Sequence, residues 1–163
     1  MSAKITNFLA EKRHDTPFLV LDLDLVVDRY RRLKETLQKV DIYYAMKANP
    51  ADEVVKALAD EGSCFDIASL SEMDACLRLG VSASSLSFGH TIKKERDIAR
   101  AHAAGIDLFA FDSAGELEKL ARAAPESRVF CRLTTKGEGA DWPLSKKFGC
   151  EVEIAKNLLK RAQ

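Results

Sequence analysis

The chain has 163 residues, 47% of them hydrophobic, with 25 basic and 25 acidic side chains. That length supports one domain burying roughly 70% of its unfolded surface, and the balanced charge offers no footprint for nucleic acid or an anionic membrane. The stretch Met1 to Glu11 lacks an apolar run long enough for a signal peptide or membrane span, so a cytoplasmic protein is expected.

The elements follow in order. After a polar lead-in ending at Asp15, Thr16-Pro17 introduces Phe18-Leu19-Val20-Leu21, a continuous apolar run of the kind buried on both faces, which predicts a first strand. From Leu25 the apolar residues Val26, Tyr30, Leu33 and Leu37 fall at helical spacing, with Asp24 as a candidate cap and an end near Lys39. Ile42 to Ala45 reads as a second strand. The next helix has Asn49 as its cap, Pro50 in its first position, Asp52 and Glu53 in its first turn and Gly62 at its end.

Phe65-Asp66-Ile67 predicts a third strand, and Ser69 with Glu72 is a capping-box spacing that opens a helix closed by Gly80. Leu86-Ser87-Phe88 is a weaker strand, followed by Gly89-His90-Thr91 and a charged helix from Lys93 to Ala104. Leu108 to Phe111 is a fifth strand, Ser113 and Glu116 repeat the capping-box spacing, and Val129 to Leu133 is a sixth strand. A glycine-bearing polar loop, Thr134 to Pro143, then precedes a last helix from Val152 to Arg161. A loop of that length in a compact domain either flanks a site or is a surface excursion.

The predicted strands begin near residues 18, 42, 64, 86, 108 and 129, a strand-plus-helix repeat of about 22 residues. Such units build parallel sheets, and either a doubly wound sheet or a (β/α)8 barrel accommodates them.

In both architectures function gathers where strands end, and the polar residues there are Asp22, Lys47, Asp66, His90, Asp112 and Arg132. A lysine leaving an apolar strand is a candidate Schiff-base nucleophile if burial lowers its pKa, although most such lysines are solvated loop residues. Arg132, read as lying within an apolar strand, would need an anionic partner, and Asp66 is that partner only if the sheet curls. Glu72 most economically serves the capping box, with a place in the site as the alternative; His90 is either a group titrating near neutrality or polar loop filler; and Asp112 with Ser113 reads as a helix cap ahead of a ligand. The cysteines, Cys64, Cys76, Cys131 and Cys150, have no Cys-x-x-Cys pair and no histidine at ligand spacing, so neither a metal site nor a disulfide framework is expected. The usual glycine-rich nucleotide motifs are missing.

Tyr44-Ala45-Met46-Lys47-Ala48-Asn49-Pro50, Phe65-Asp66-Ile67-Ala68-Ser69 with Glu72, Phe111-Asp112-Ser113, Arg132 and Ser145-Lys146-Lys147-Phe148-Gly149 together resemble the ornithine/diaminopimelate/arginine decarboxylase family, the fold-type III pyridoxal-phosphate enzymes. The likeness runs in order from Thr16 to Cys150 and points to the bacterial ornithine and lysine decarboxylase branch. Met46 stands where valine is common, and His90 where that branch usually has asparagine.

The resemblance implies an α/β fold: the N-terminal part, about six βα units, of an alanine racemase-like (β/α)8 TIM barrel, lacking the C-terminal β-domain. Residues 1–163 would be an incomplete barrel domain. It implies that Lys47 is the catalytic residue carrying pyridoxal 5'-phosphate, with Ala45, Asp66 and Arg132 around it, and that a small-molecule amino-acid substrate, ornithine or lysine, becomes a diamine in polyamine biosynthesis. The family builds two sites per homodimer, with Lys147 in the place of its interface lysine. Because the family's phosphate loop and its partner-donated residues have no counterpart here, little or no activity is expected of this chain alone. The alternative is a non-catalytic homologue or fragment that pairs with a full-length decarboxylase through Lys147-Phe148-Gly149 and open sheet edges. A lysine working without the cofactor, as in barrel aldolases, is a third reading.

Overall fold

The computed structural model describes residues 3–11, 15–135 and 147–162. A helix α1 (Ala3–Glu11) precedes α2 (Leu23–Thr36), β1 (Tyr43–Ala45), α3 (Asp52–Asp60), β2 (Cys64–Ile67), α4 (Leu70–Arg78), β3 (Leu86–Phe88), α5 (Glu95–Ala103), β4 (Leu108–Phe111), α6 (Ala114–Ala123), β5 (Arg128–Cys131) and α7 (Val152–Arg161). All strand pairs are parallel and the sheet order is β1-β2-β3-β4-β5.

That order decides between the two architectures the repeat allowed. Each right-handed crossover moves the chain one strand in the same direction, so every helix lands on the same face; a doubly wound sheet would reverse direction partway. Phe65, Ile67, Leu86, Phe109 and Phe111 turn to the helices and are fully buried there with Val55, Ile98 and Leu120. Tyr43, Ala45, Asp66, Ser87, Leu108, Phe130 and Arg132 turn the other way and line a hollow of about 500 Å³, the inside of the barrel wall.

The first expected strand is a correction. Phe18 to Leu21 lies in no strand, and Leu19 is 78% exposed. The sheet begins at β1, whose ladder partner is β2; Leu21 instead lines an apolar hollow with Leu25, Tyr30 and Leu33 of α2 and Tyr43 and Tyr44 of β1. Continuous hydrophobicity cannot distinguish a run that enters a sheet from one that lies across a helix. At the other edge the structure adds what was not expected: Cys150 bridges Leu133 in parallel, with Cys150 N–H donating to the Arg132 carbonyl at 3.0 Å and Thr134 N–H to the Cys150 carbonyl at 2.9 Å. Cys150 followed by α7 therefore continues the strand-plus-helix series beyond β5.

Several helix starts move, each for a visible reason. Asp22, not Asp24, caps α2, its Oδ1 accepting from Leu25 N–H at 3.4 Å. Asn49 turns back to accept from Ala51 N–H at 3.1 Å, so α3 begins at Asp52, two residues later than the Asn-Pro signal implies. Ser69 and Ser113 cap α4 and α6 as expected. Helix α5 starts at Glu95, because Lys93 is drawn inward to Glu116 at 3.0 Å. Among the described residues no helix is long and apolar enough to cross a membrane, and no group of three or more His, Cys, Asp or Glu side chains is placed to hold a metal.

Candidate active site

Parallel register sets the site. Ala45 pairs with Asp66 and Asp66 with Ser87, so a row runs across the inner face one step before the strand ends. The chain then leaves β1 through the turn Met46-Lys47-Ala48, with Met46 N–H donating to the Asp66 carbonyl and Ala48 N–H to the Ala45 carbonyl, each at 3.0 Å. Met46 is fully buried, which leaves Lys47 projecting at the rim.

Lys47, Asp66, Ala68, Glu72, Gly89, His90, Arg132, Lys147 and Phe148 surround one cleft of about 220 Å³. The structure thus brings together three of the four expected site residues, Lys47, Asp66 and Arg132; Ala45 lines the adjoining inner hollow with Asp66 and Arg132. The curl of the sheet makes this possible, since Asp66 belongs to β2 and Arg132 follows β5. Two electrostatic expectations do not hold as stated. Both Lys47 and Arg132 are exposed to solvent in the cleft, so the burial on which both expectations rested is not there. Arg132 has left the strand, and its guanidinium sits over the Phe148 ring, 5.2 Å from the centroid.

Asp66 is the half-buried member. Ser87 Oγ–H donates to its Oδ1. Burial holds the Asp66 carboxyl above its ordinary 3.8, while the Ser87 hydrogen bond and the charges of Lys47 and Arg132 pull it partly back. A carboxyl raised in the folded state binds its proton more tightly folded than unfolded, so its contribution to stability is fullest below 3.8 and is lost as pH climbs through the folded value. Asp66→Asn is therefore expected to stabilise the unliganded chain at neutral pH and to flatten its stability curve above about pH 4. Urea unfolding at acid and neutral pH measures this; a less stable Asp66→Asn at neutral pH would contradict it.

Residues that the sequence undervalued complete the cleft. Glu72 Oε2 accepts from Ala68 N–H at 2.5 Å, so its carboxylate both closes the turn before α4 and lines the cleft. His90 meets Phe148 edge-on, with centroids 5.3 Å apart, and Lys147 Nζ lies 5.5 Å from the same ring. Phe148 thereby gathers a histidine, an arginine and a lysine. Asp112 is not a helix cap: its Oδ2 accepts from Gly149 N–H at 2.9 Å and fixes the segment that carries Lys147 and Phe148. The detectable signal was position, because Gly89, His90 and Asp112 directly follow β3 and β4 at the same end of the sheet as Lys47. Residues 136–146, which include most of the expected polar stretch as well as Ser145 and Lys146, lie outside the described residues.

Cys131 and Cys150 approach to 3.6 Å between sulfurs, and burial together with Cys150 pushes the Cys131 thiol up to about 12. Burial likewise raises Cys76 to about 11. Cys131 and Cys76 are therefore protonated packing groups at neutral pH rather than nucleophiles.

Residues 23–163 match the family described as pyridoxal-dependent decarboxylase, pyridoxal binding domain. The chain belongs to that family. Among its relatives, the lysine/ornithine decarboxylase of Selenomonas ruminantium is 39% identical across the whole chain, which spans 41% of that protein. Antizyme inhibitor 2 of Xenopus laevis is 31% identical over 98% of the chain and 35% of its own length. The crystal structure of a lysine/ornithine decarboxylase from Vibrio vulnificus complexed with cadaverine superposes with a TM-score of 0.85 at 33% identity, over 99% of this chain and 43% of that one. This decarboxylase-family chain thus spans about two fifths of the length of the relatives it matches, and its fold is that of the corresponding part of their barrels.

Proposed function

We propose that the cleft is the lysine-bearing part of a pyridoxal 5'-phosphate site for decarboxylation of a basic amino acid, ornithine or lysine, to the diamine putrescine or cadaverine in polyamine biosynthesis. The observation that carries the reading is the meeting of Lys47, Asp66 and Arg132 in one cleft of about 220 Å³ in a chain of this family. The donor set suits the group: a primary amine for its aldehyde, two exposed cations, Arg132 and Lys147, for its anionic oxygens, and a half-buried carboxylate. Bound pyridoxal phosphate supplies an electron sink for the pair left behind when carbon dioxide departs.

The chain's own residues do the positioning. Lys47 Nζ is the amine that would take the aldehyde and be exchanged for the substrate's amino group. Asp66, whose carboxyl burial holds above its ordinary value, stands close enough for its charge to act on Lys47. Arg132, kept in place by Phe148, adds positive potential that draws anionic ligand groups in. Ala45 leaves room beside Asp66 and Arg132 on the barrel's inner face.

We further propose a cytoplasmic protein in which these residues form part of a pyridoxal phosphate-binding barrel domain, working in a homodimer or paired with a full-length decarboxylase. A second reading, a non-catalytic homologue that pairs with a full-length decarboxylase, is favoured by one observation: a relative of similar identity is named for inhibiting antizyme, not for decarboxylation.

Incubation with pyridoxal phosphate, borohydride reduction and peptide mapping test the first reading. A pyridoxyl group on Lys47, absent from Lys47→Ala, is expected; label spread evenly over surface lysines overturns it. Diamine release from ornithine and lysine, measured alone and with a full-length decarboxylase added, separates the readings. Binding to that partner without a Lys47 adduct supports the second.

A further inference from the structure

Outside the cleft, the most deeply buried charges among the described residues are Lys93 and Glu116, with side chains 1% and 3% exposed and 3.0 Å apart. Burying an ion pair is poor economy for stability, since an apolar pair of like volume does as well or better. What distinguishes this pair is what it holds. Lys93 Nζ donates to the His90 carbonyl at 2.8 Å and to the Ala110 carbonyl at 2.6 Å. With Glu116 these oxygens match the three protons of the ammonium. Lys93 N–H donates to Glu116 Oε1 at 3.2 Å, and Lys119 joins by pairing with Glu116 Oε2 and donating to the Lys93 carbonyl.

The turn leaving β3 is therefore fastened at His90 and again at both backbone groups of Lys93. Thr91 between them is wholly buried. Burial lowers the Lys93 pKa, and the hydrogen bond and charge of Glu116 oppose that. On its other side the same turn gives Gly89 and His90 to the cleft, with His90 against Phe148.

We propose that the buried Lys93–Glu116 pair, with the partly exposed Lys119 at its edge, sets the position of the Gly89-His90 turn, making Lys93 a positioning residue for whatever the cleft binds. The ligand-binding part rests on the pyridoxal phosphate reading; the positioning part does not. An apolar substitute would fill the space but could not hold the His90 carbonyl.

Three chains are compared: wild type, Lys93→Met, and Lys93→Met with Glu116→Leu. Thermal melting, the His90 ring-proton NMR signal and its cross-relaxation with Phe148 are read without cofactor, and pyridoxal phosphate binding is read by absorbance. Lys93→Met is expected to melt lower because the buried Glu116 carboxylate loses one of its two cations, and the double variant to recover most of that loss. In both, the His90–Phe148 contact should disappear, and cofactor affinity should fall about tenfold. A double variant that recovers stability together with wild-type His90 signals shows a packing role only and overturns the proposal. If neither variant folds, Glu116→Gln, which loosens the ammonium while keeping an acceptor for Lys93 N–H, must shift the His90 signals; unchanged signals overturn the proposal equally. Should wild type not bind pyridoxal phosphate, the function reading fails while the His90 measurements still judge the pair.

Discussion

Gly149→Ala is expected to lower the stability of the chain by roughly 2–4 kcal/mol, beyond the usual effect of a single surface change. Gly149 has φ +98°, and a Cβ there would lie 2.6 Å from the Leu133 carbonyl carbon and 2.7 Å from its oxygen and from Thr134 N. Backbone on backbone cannot rotate out of the way. Relief requires parting Leu133 from Cys150, which breaks the parallel bridge and the bond from Gly149 N–H to Asp112. Phe148 would move with it, taking the ring on which Arg132, His90 and Lys147 converge. Urea unfolding is the measurement, and a change below about 0.5 kcal/mol would show that the 147–150 segment is not held as described.

Gly89→Ala should separate stability from binding. Its Cβ would fall 2.1 Å from Asp66 Oδ1 and 2.6 Å from Cγ, so the carboxylate must swing away from Ser87. Because a short side chain yields where backbone does not, the expected stability loss is only about 1–2 kcal/mol. On the proposed role of Asp66 beside Lys47, pyridoxyl adduct formation at Lys47 should drop at least about tenfold. Adding Asp66→Ala to Gly89→Ala removes the collision and should restore stability without restoring the adduct. An adduct yield equal to wild type in Gly89→Ala would mean that Asp66 does not act on Lys47.

The repeat, the parallel strands, the helices from α2 onward and the cluster of Lys47, Asp66 and Arg132 were all legible in the sequence. They were legible because apolar strands alternate with capped helices, and because strand ends collect polar groups. Phe18 to Leu21 misled, since a run of hydrophobic residues reports burial and not its partner. Cys150 was overlooked for the converse reason: a single-residue bridge carries no run at all, and only the spacing from the preceding strand announces it. The exposure of Lys47 and Arg132 could not be read either, because it depends on where the turn after β1 and the end of β5 place their side chains in a curled sheet. Likewise Glu116 presents the pattern of a capping box, yet its carboxylate is taken by Lys93 and Lys119. Pattern shows that a cap is possible; only packing shows what the side chain touches.

The strand order β1-β2-β3-β4-β5 also bears on how the chain acquires its structure. Every strand pairs with the next one along the chain, about twenty residues away, so each ladder closes a loop of similar and modest entropy. No ladder must wait for a distant segment. Contacts of such short range favour rapid folding for a parallel sheet, and they allow units to be added in the order in which they emerge from the ribosome, each new helix covering the strand pair already formed. On that route the Lys47 turn is shaped as soon as β2 has paired with β1, well before Arg132 and Phe148 arrive to close the cleft around it.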